Sequence, residues 1–212
     1  MIITKYITID IEENTAKKQG NGAPKCGRDS IIQLSATMVK VDEKGNIIDV
    51  QDKFDSYVYC ENLYKKITKL TGIKREDVLN APKFIDVWQE FVKWAQFDKN
   101  TFIVTWGLQD KLFLNRELAY ANLPNTRIPF IDLQHYIQLQ GRIKRLPSLE
   151  EQVNKLIGNF EGVAHNALSD AINTSNILKL VLENSFQSIS YLLFNKCFSI
   201  IFFLENSIKS SF

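Results

Sequence analysis

The chain has 212 residues, 45% of them hydrophobic and 24% charged, with a formal net charge of +2. That is the composition of a soluble globular protein able to bury a substantial core as one generous domain, or one domain with an appendage. Three cysteines at unrelated spacings, Cys26, Cys60 and Cys197, exclude a disulfide framework and a zinc signature and suit a reducing cytoplasm.

Ile2 to Glu12 opens the chain with period-two alternation. Ile3, Ile7, Ile9 and Ile11 are apolar; Thr4, Thr8, Asp10 and Glu12 are polar. The pattern predicts a β-strand, and residues two apart on a strand share a side. Asp10 and Glu12 therefore project together from its C-terminal end. Crowded carboxylates raise one another's pKa and become tolerable around a divalent cation such as Mg²⁺ or Mn²⁺. Taken alone, an Asp-x-Glu reads as a strand ending in solvated acids. Asp10 also interrupts any secretory signal pattern.

Glu13 to Arg28 is polar and glycine-containing and reads as a loop. Its Lys17, Lys18, Lys25 and Arg28 could steer a phosphate backbone, or simply be solvated. Ser30 to Val41 and Ile47 to Tyr59 read as strands around a turn at Asp42–Asn46. With the first strand they form a meander, antiparallel in expectation.

Leu63 to Asn80 predicts short helices broken at Gly72, and Lys83 to Gln96 an amphipathic helix with Trp88 and Phe91 in the core. Thr101 to Trp106 is a short strand, and Gly107 breaks it. A helix from Leu108 to Asn122 carries Asp110 in its first turn, where the helix dipole favours an acid. A short strand at Ile128–Asp132 and a helix at Leu133–Gln140 follow. His135 in that helix has no carboxylate motif and reads as structural.

Gly141–Arg145 is the densest basic run. Ser148 and Glu151 form a capping box opening a helix to Ile157, ended by Gly158. After Gly162–Ala171 a long helix runs to about Glu183, burying Ala171, Thr174, Ser175, Leu178, Val181 and Leu182, with Asp170 beside that stripe. The tail from Gln187 is nearly all apolar between Tyr191 and Leu204. It is too short and interrupted for a membrane span, which needs about 20 apolar residues. It reads as a docked element or a self-association surface.

A leading meander followed by alternating strands and helices predicts an α/β layer domain with a mixed sheet, whose sites lie at strand C-terminal ends. Asp10, Glu12, Asp110, His165 and Asp170 are distributed accordingly. Hard cations take carboxylate oxygens, and histidine is the natural base near neutral pH.

Ile9-Asp10-Ile11-Glu12 resembles the first motif of the DEDDh 3′–5′ exonucleases. Thr105-Trp106-Gly107-Leu108-Gln109-Asp110 resembles the second, and Ala164-His165-Asn166-Ala167-Leu168-Ser169-Asp170-Ala171, with His and Asp five residues apart, the third. Trp106-Gly107 and Leu70-Thr71-Gly72-Ile73 look most like the branch of KapD-type and histone-mRNA 3′-end exonucleases. The resemblance spans Ile2 to Leu182, so a nuclease domain is expected over residues 1–183 and an apolar extension over 184–212.

The resemblance implies an RNase H-like three-layer α/β/α fold with a mixed five-stranded sheet. It implies hydrolysis of single-stranded nucleic acid from its 3′ end to nucleoside 5′-monophosphates, with two Mg²⁺ or Mn²⁺ ions. A cytoplasmic monomer or homodimer is the expected form. Asp10 would bridge both ions, Glu12 and Asp170 would complete one site, and Asp110 would hold the other. His165 would be the general base, with Ile11 and its backbone near the terminal nucleotide. The chain departs from many relatives at Ser30, where they carry Glu, and in the loop after Glu12. The other functions considered are a non-catalytic nucleic-acid-binding module on this fold and a regulator acting through Tyr191–Leu204.

Overall fold

The computed structural model describes residues 2–15, 18–19, 23–24 and 29–187. Lys17, Lys25, Arg28, Cys26, Cys197 and the Tyr191–Leu204 surface lie outside the described residues. The order is β1 (Thr4–Asn14), β2 (Lys18–Gln19), β3 (Ala23–Pro24), β4 (Ser30–Val41), β5 (Ile47–Tyr57), α1 (Lys65–Thr71), α2 (Arg75–Leu79), α3 (Phe84–Ala95), β6 (Thr101–Thr105), α4 (Gln109–Tyr120), β7 (Phe130–Asp132), α5 (Leu133–Gln140), α6 (Leu149–Leu156) and α7 (Ala167–Gln187).

Five strands form one sheet in the order β5-β4-β1-β6-β7. β1, β4 and β5 are the expected antiparallel meander, while β6 and β7 run parallel to β1. Helices cover both faces. Ile7, Ile9 and Ile11 pack with Phe84, Val87 and Phe91 of α3 and Leu114 and Leu118 of α4. On the other face Val39, Val104 and Ile131 pack with Val153 of α6 and Ile177, Leu178 and Leu182 of α7. A sheet covered on both faces explains why Thr8 is as buried as its isoleucine neighbours.

β1 extends two residues beyond Glu12, where a loop was expected, and begins after Ile2 and Ile3. The extension pairs Glu13 with Ile31 and Asn14 with Ser30, past an irregularity between Glu12 and Glu13. Ile32 is the extra residue on β4. This bulge lets Ile31 and Ile32 bury in separate clusters, Ile32 with Cys60, Ile67, Ile73 and Val78. Part of the expected loop pairs briefly as β2 and β3. The Leu63–Asn80 segment divides as expected at Gly72, whose φ of +76° caps α1 in the left-handed region. The Ser148–Glu151 capping box opens α6.

The basic run is followed by Pro147, whose carbonyl accepts from Trp106 Nε1 at 3.2 Å and Gln134 Nε2 at 2.9 Å. That pair ties the connector back to the end of β6. Among the described residues no helix is long and apolar enough to cross a membrane.

Candidate functional site

β1 delivers Asp10 and Glu12 to the α7 side of the sheet, because its alternation sends Ile9 and Ile11 into the opposite core. α7 crosses that side, anchored where Thr8 Oγ1 donates to the Ala171 carbonyl at 3.1 Å. The first turn of α7 therefore brings Asp170 to the end of β1. Carboxylate oxygens of Asp10, Glu12 and Asp170 lie within 4.8 Å of one another, and this trio could hold a metal ion.

Asp110 arrives from the other layer. It stands in the first turn of α4, buried, and its Oδ1 accepts the Ile11 backbone N–H at 3.1 Å. It thus meets β1 between Asp10 and Glu12. The expected helix-dipole role is joined by a tertiary one.

The electrostatics agree with this crowding. Burial, and then the charges of Asp110, Asp170 and Glu12, push the Asp10 carboxyl well above its ordinary range. Burial raises Glu12 to about 8, with Asp170 and Asp110 adding to the effect. Burial raises Asp110 to about 7, against the Ile11 N–H, which favours the carboxylate. Asp170 rises to about 6 by burial, opposed by the His165 backbone bond and imidazole and reinforced by Glu150. A pocket that penalises its own ionisation needs compensating positive charge. All-oxygen donors at this spacing suit a hard divalent cation.

His165 is exposed, with φ of +63° in the left-handed region. Its backbone N–H donates to Asp170 Oδ2 at 3.1 Å, leaving the imidazole at the rim. The preceding segment is held by Asn173, fully buried in α7. Asn173 Oδ1 accepts from Glu161 N at 3.0 Å, and its Nδ2 donates to Glu161 O at 2.8 Å and Ser169 O at 2.7 Å. Gly162 has φ of +81°, and a Cβ there would overlap Ser169 Oγ. The segment carrying His165 thus lies directly on the first turn of α7.

The structure brings Asp10, Glu12, Asp110, Asp170 and His165 to one end of the sheet. Ile11 is different: its side chain is in the core behind the carboxylates, so only the backbone beside it can approach a ligand. Glu13 also stays apart, since it pairs with Arg116 of α4 on the opposite face. His135 does have a carboxylate partner. Asp132 caps α5 by accepting from His135 N at 3.0 Å and meets His135 Nδ1 at 2.6 Å. The three-residue spacing at a helix start was its signal.

Gln33 and Ser35 went unnoticed in the sequence. They stand opposite Glu12 and Asp10 on β4. Gln33 Nε2 and Ser35 Oγ both donate to Asp55 Oδ1, at 2.9 and 2.6 Å, and Gln33 Oε1 accepts from Ala167 N at 3.4 Å. The network fastens the start of α7 to the sheet. Polar residues at alternate positions of an otherwise apolar strand were the available sign.

Known proteins resemble the chain in sequence and in fold. The family model for exonucleases, RNase_T, matches residues 7–178. The DNA polymerase III PolC-type of Bacillus cereus is 25% identical over 163 residues, covering 75% of this chain. The matched region is only 11% of that polymerase's length. The crystal structure of the nuclease domain of 3′hExo, a DEDDh family member bound to rAMP, superposes with TM-score 0.70 at 22% identity, covering 85% of this chain and 92% of that one. E. coli Exonuclease I in complex with a dA16 oligonucleotide superposes with TM-score 0.62 at 14% identity, covering 84% of this chain and 40% of that one. Both superpositions establish the RNase H-like exonuclease fold.

Proposed function

The chain belongs to the RNase_T exonuclease family, and from that premise we propose that it hydrolyses single-stranded nucleic acid from the 3′ end, RNA in preference to DNA, releasing nucleoside 5′-monophosphates. The observation that carries the reading is the convergence of Asp10, Glu12 and Asp170 oxygens within 4.8 Å, with Asp110 docked on the intervening backbone.

In this reading Asp10, Glu12 and Asp170 hold one Mg²⁺ or Mn²⁺ ion, and Asp10 and Asp110 a second. Ions bound there polarise the scissile phosphodiester and make water a stronger nucleophile. His165 accepts the proton of the attacking water. Its exposed position leaves room for water and substrate, and its backbone bond to Asp170 keeps it at the edge of the acidic pocket. The backbone beside Ile11 faces the terminal nucleotide. The catalytic unit is residues 1–183, and residues 184–212 are dispensable for cleavage.

The test is cleavage of a 5′-labelled single strand, supplied as matched RNA and DNA, with Mg²⁺, Mn²⁺ or EDTA. A 3′–5′ ladder that requires the divalent ion, ends in mononucleotides and vanishes in Asp10→Ala is expected. Intact strands with Mn²⁺ and wild-type protein would refute the proposal. Faster loss of DNA than RNA would reverse the preference alone.

A further inference from the structure

The first turn of α7 is held at two points on either side of Asp170. One is the bond from Thr8 Oγ1 to the Ala171 carbonyl at 3.1 Å. The other is the Ala167 N–H, which donates to Gln33 Oε1 at 3.4 Å. The N–H groups that open a helix have no acceptor within it. Asn166 supplies a local one, its Oδ1 accepting from Ser169 N at 3.1 Å. Gln33 supplies the one that ties the start of the helix to the sheet.

The grip of Gln33 depends on which way its amide points. Gln33 is 1% exposed, so both ends of the amide need partners inside the protein. Two carboxylates compete for its NH₂ end. Glu12 stands directly opposite on β1, and Asp55 stands diagonally on β5. The structure shows the second choice. Gln33 Nε2 donates to Asp55 Oδ1 at 2.9 Å, and the same oxygen accepts from the fully buried Ser35 hydroxyl at 2.6 Å. With the NH₂ end committed to Asp55, the carbonyl end is turned to Ala167. Should the NH₂ end turn to Glu12 instead, the carbonyl would leave Ala167 and strand its N–H in the interior.

We propose that Asp55 is a positioning residue for the metal site: it fixes the Gln33 amide in the orientation that holds Asp170 beside Asp10 and Glu12. The proposal rests on the reading of those three carboxylates as metal ligands. A ligand set must be held to within about 0.5 Å by the side chains behind it. Asp55 acts through hydrogen bonds and not as a ligand. It lies two strands from Asp10, about 9.6 Å away across the sheet, and its Oδ1 is taken by two donors. Asp55 is exposed, yet it orders a chain of contacts that runs through the buried Gln33 to the helix.

The experiment compares Mn²⁺ binding to the full chain, read from the paramagnetic signal of the free ion, in the wild type, Asp55→Ala, Asp55→Asn and Gln33→Met. Asp55→Ala should weaken Mn²⁺ about tenfold or more, the usual effect of removing a group that orients a ligand. Asp55→Asn keeps an Oδ1 that can accept both bonds, so its affinity should stay within about threefold of the wild type. Gln33→Met should match Asp55→Ala, and the double variant should be no weaker, because both changes break one chain of contacts. In EDTA, hydrogen exchange across residues 167–170 should quicken in Asp55→Ala and not in Asp55→Asn.

Equal weakening in Asp55→Ala and Asp55→Asn would assign the effect to charge and overturn the proposal. Wild-type affinity in Asp55→Ala, or losses that multiply in the double variant, would overturn it as well. Absence of Mn²⁺ binding by the wild type would remove the metal reading itself, and this proposal with it. The exchange measurement, made without metal, then still reports whether Asp55 holds the start of α7.

Discussion

The Ile11 backbone N–H donates to Asp110 Oδ1 at 3.1 Å across 99 residues of sequence. One carboxylate thereby fixes the start of α4 against β1 and adds a negative charge to the acidic pocket. The two roles separate in Asp110→Asn, which keeps an acceptor for Ile11 but loses the charge. Cleavage is expected to fall by at least about 100-fold, while metal-free stability at pH 8 rises. Asp110→Leu strands the N–H and is expected to cost about 1–3 kcal/mol. Thermal melts beside cleavage rates measure both.

The raised carboxylates set a pH dependence. Glu12 titrates near 4.5 when unfolded and about 8 when folded, and Asp110 near 3.8 and about 7. Between those values the folded protein binds more protons than the unfolded chain, so stability falls as pH rises. Metal-free protein should melt several degrees higher at pH 5 than at pH 8.5. Mg²⁺ or Mn²⁺ should restore stability at pH 8.5, where the carboxylates can accept the ion, and do little at pH 5. A melting temperature that climbs with pH in EDTA would contradict this origin of the shifts.

His165 contributes its backbone to the fold and leaves its imidazole exposed. His165→Gln should therefore leave the melting curve and Mn²⁺ binding nearly unchanged. Turnover should fall by about 10²–10⁴, the usual contribution of a positioned acid–base group. Loss of Mn²⁺ binding in this variant would move histidine from proton transfer to metal ligation.

Gly162 has both a left-handed backbone and no room for a methyl group against Ser169 Oγ. Gly162→Ala should cost about 1–2 kcal/mol and displace the His165 segment. Single-turnover kinetics should show a slower chemical step with little change in substrate affinity. Gly158→Ala is an informative contrast, because its φ of +107° also strains an L-residue while nothing lies within 4 Å of the added carbon.

Much of this arrangement was legible in sequence because it rests on short-range regularities. The alternation of Ile7, Thr8, Ile9 and Asp10 placed the first carboxylates, Gly107 marked the turn before Asp110, and Ser148 with Glu151 marked the start of α6. The network around Gln33 was hidden because its partners, Asp55 and Ala167, are 22 and 134 residues away. The continuation of β1 through Glu13 and Asn14 was hidden for a related reason. Polar residues ordinarily signal a loop, but here Arg116 neutralises Glu13, and Asn14 donates to the Asn62 carbonyl at 2.9 Å. Ile11 was associated with the site through the family resemblance, and its strand position points its side chain into the opposite core.

The bulge at Ile32 and the unbroken pairing of Thr4–Glu12 with Gln33–Val41 carry one more implication. Gaining or losing a single amino acid between Thr4 and Asp10 would turn both acids of β1 into the core against α3 and α4 and set isoleucines in the acidic pocket in their place. Evolutionary insertions and deletions must then be absorbed beyond Asn14. Homologues that keep the chemistry should agree in spacing from Thr4 to Asn14 and from Ser30 to Val41, and differ in length in the connection between them.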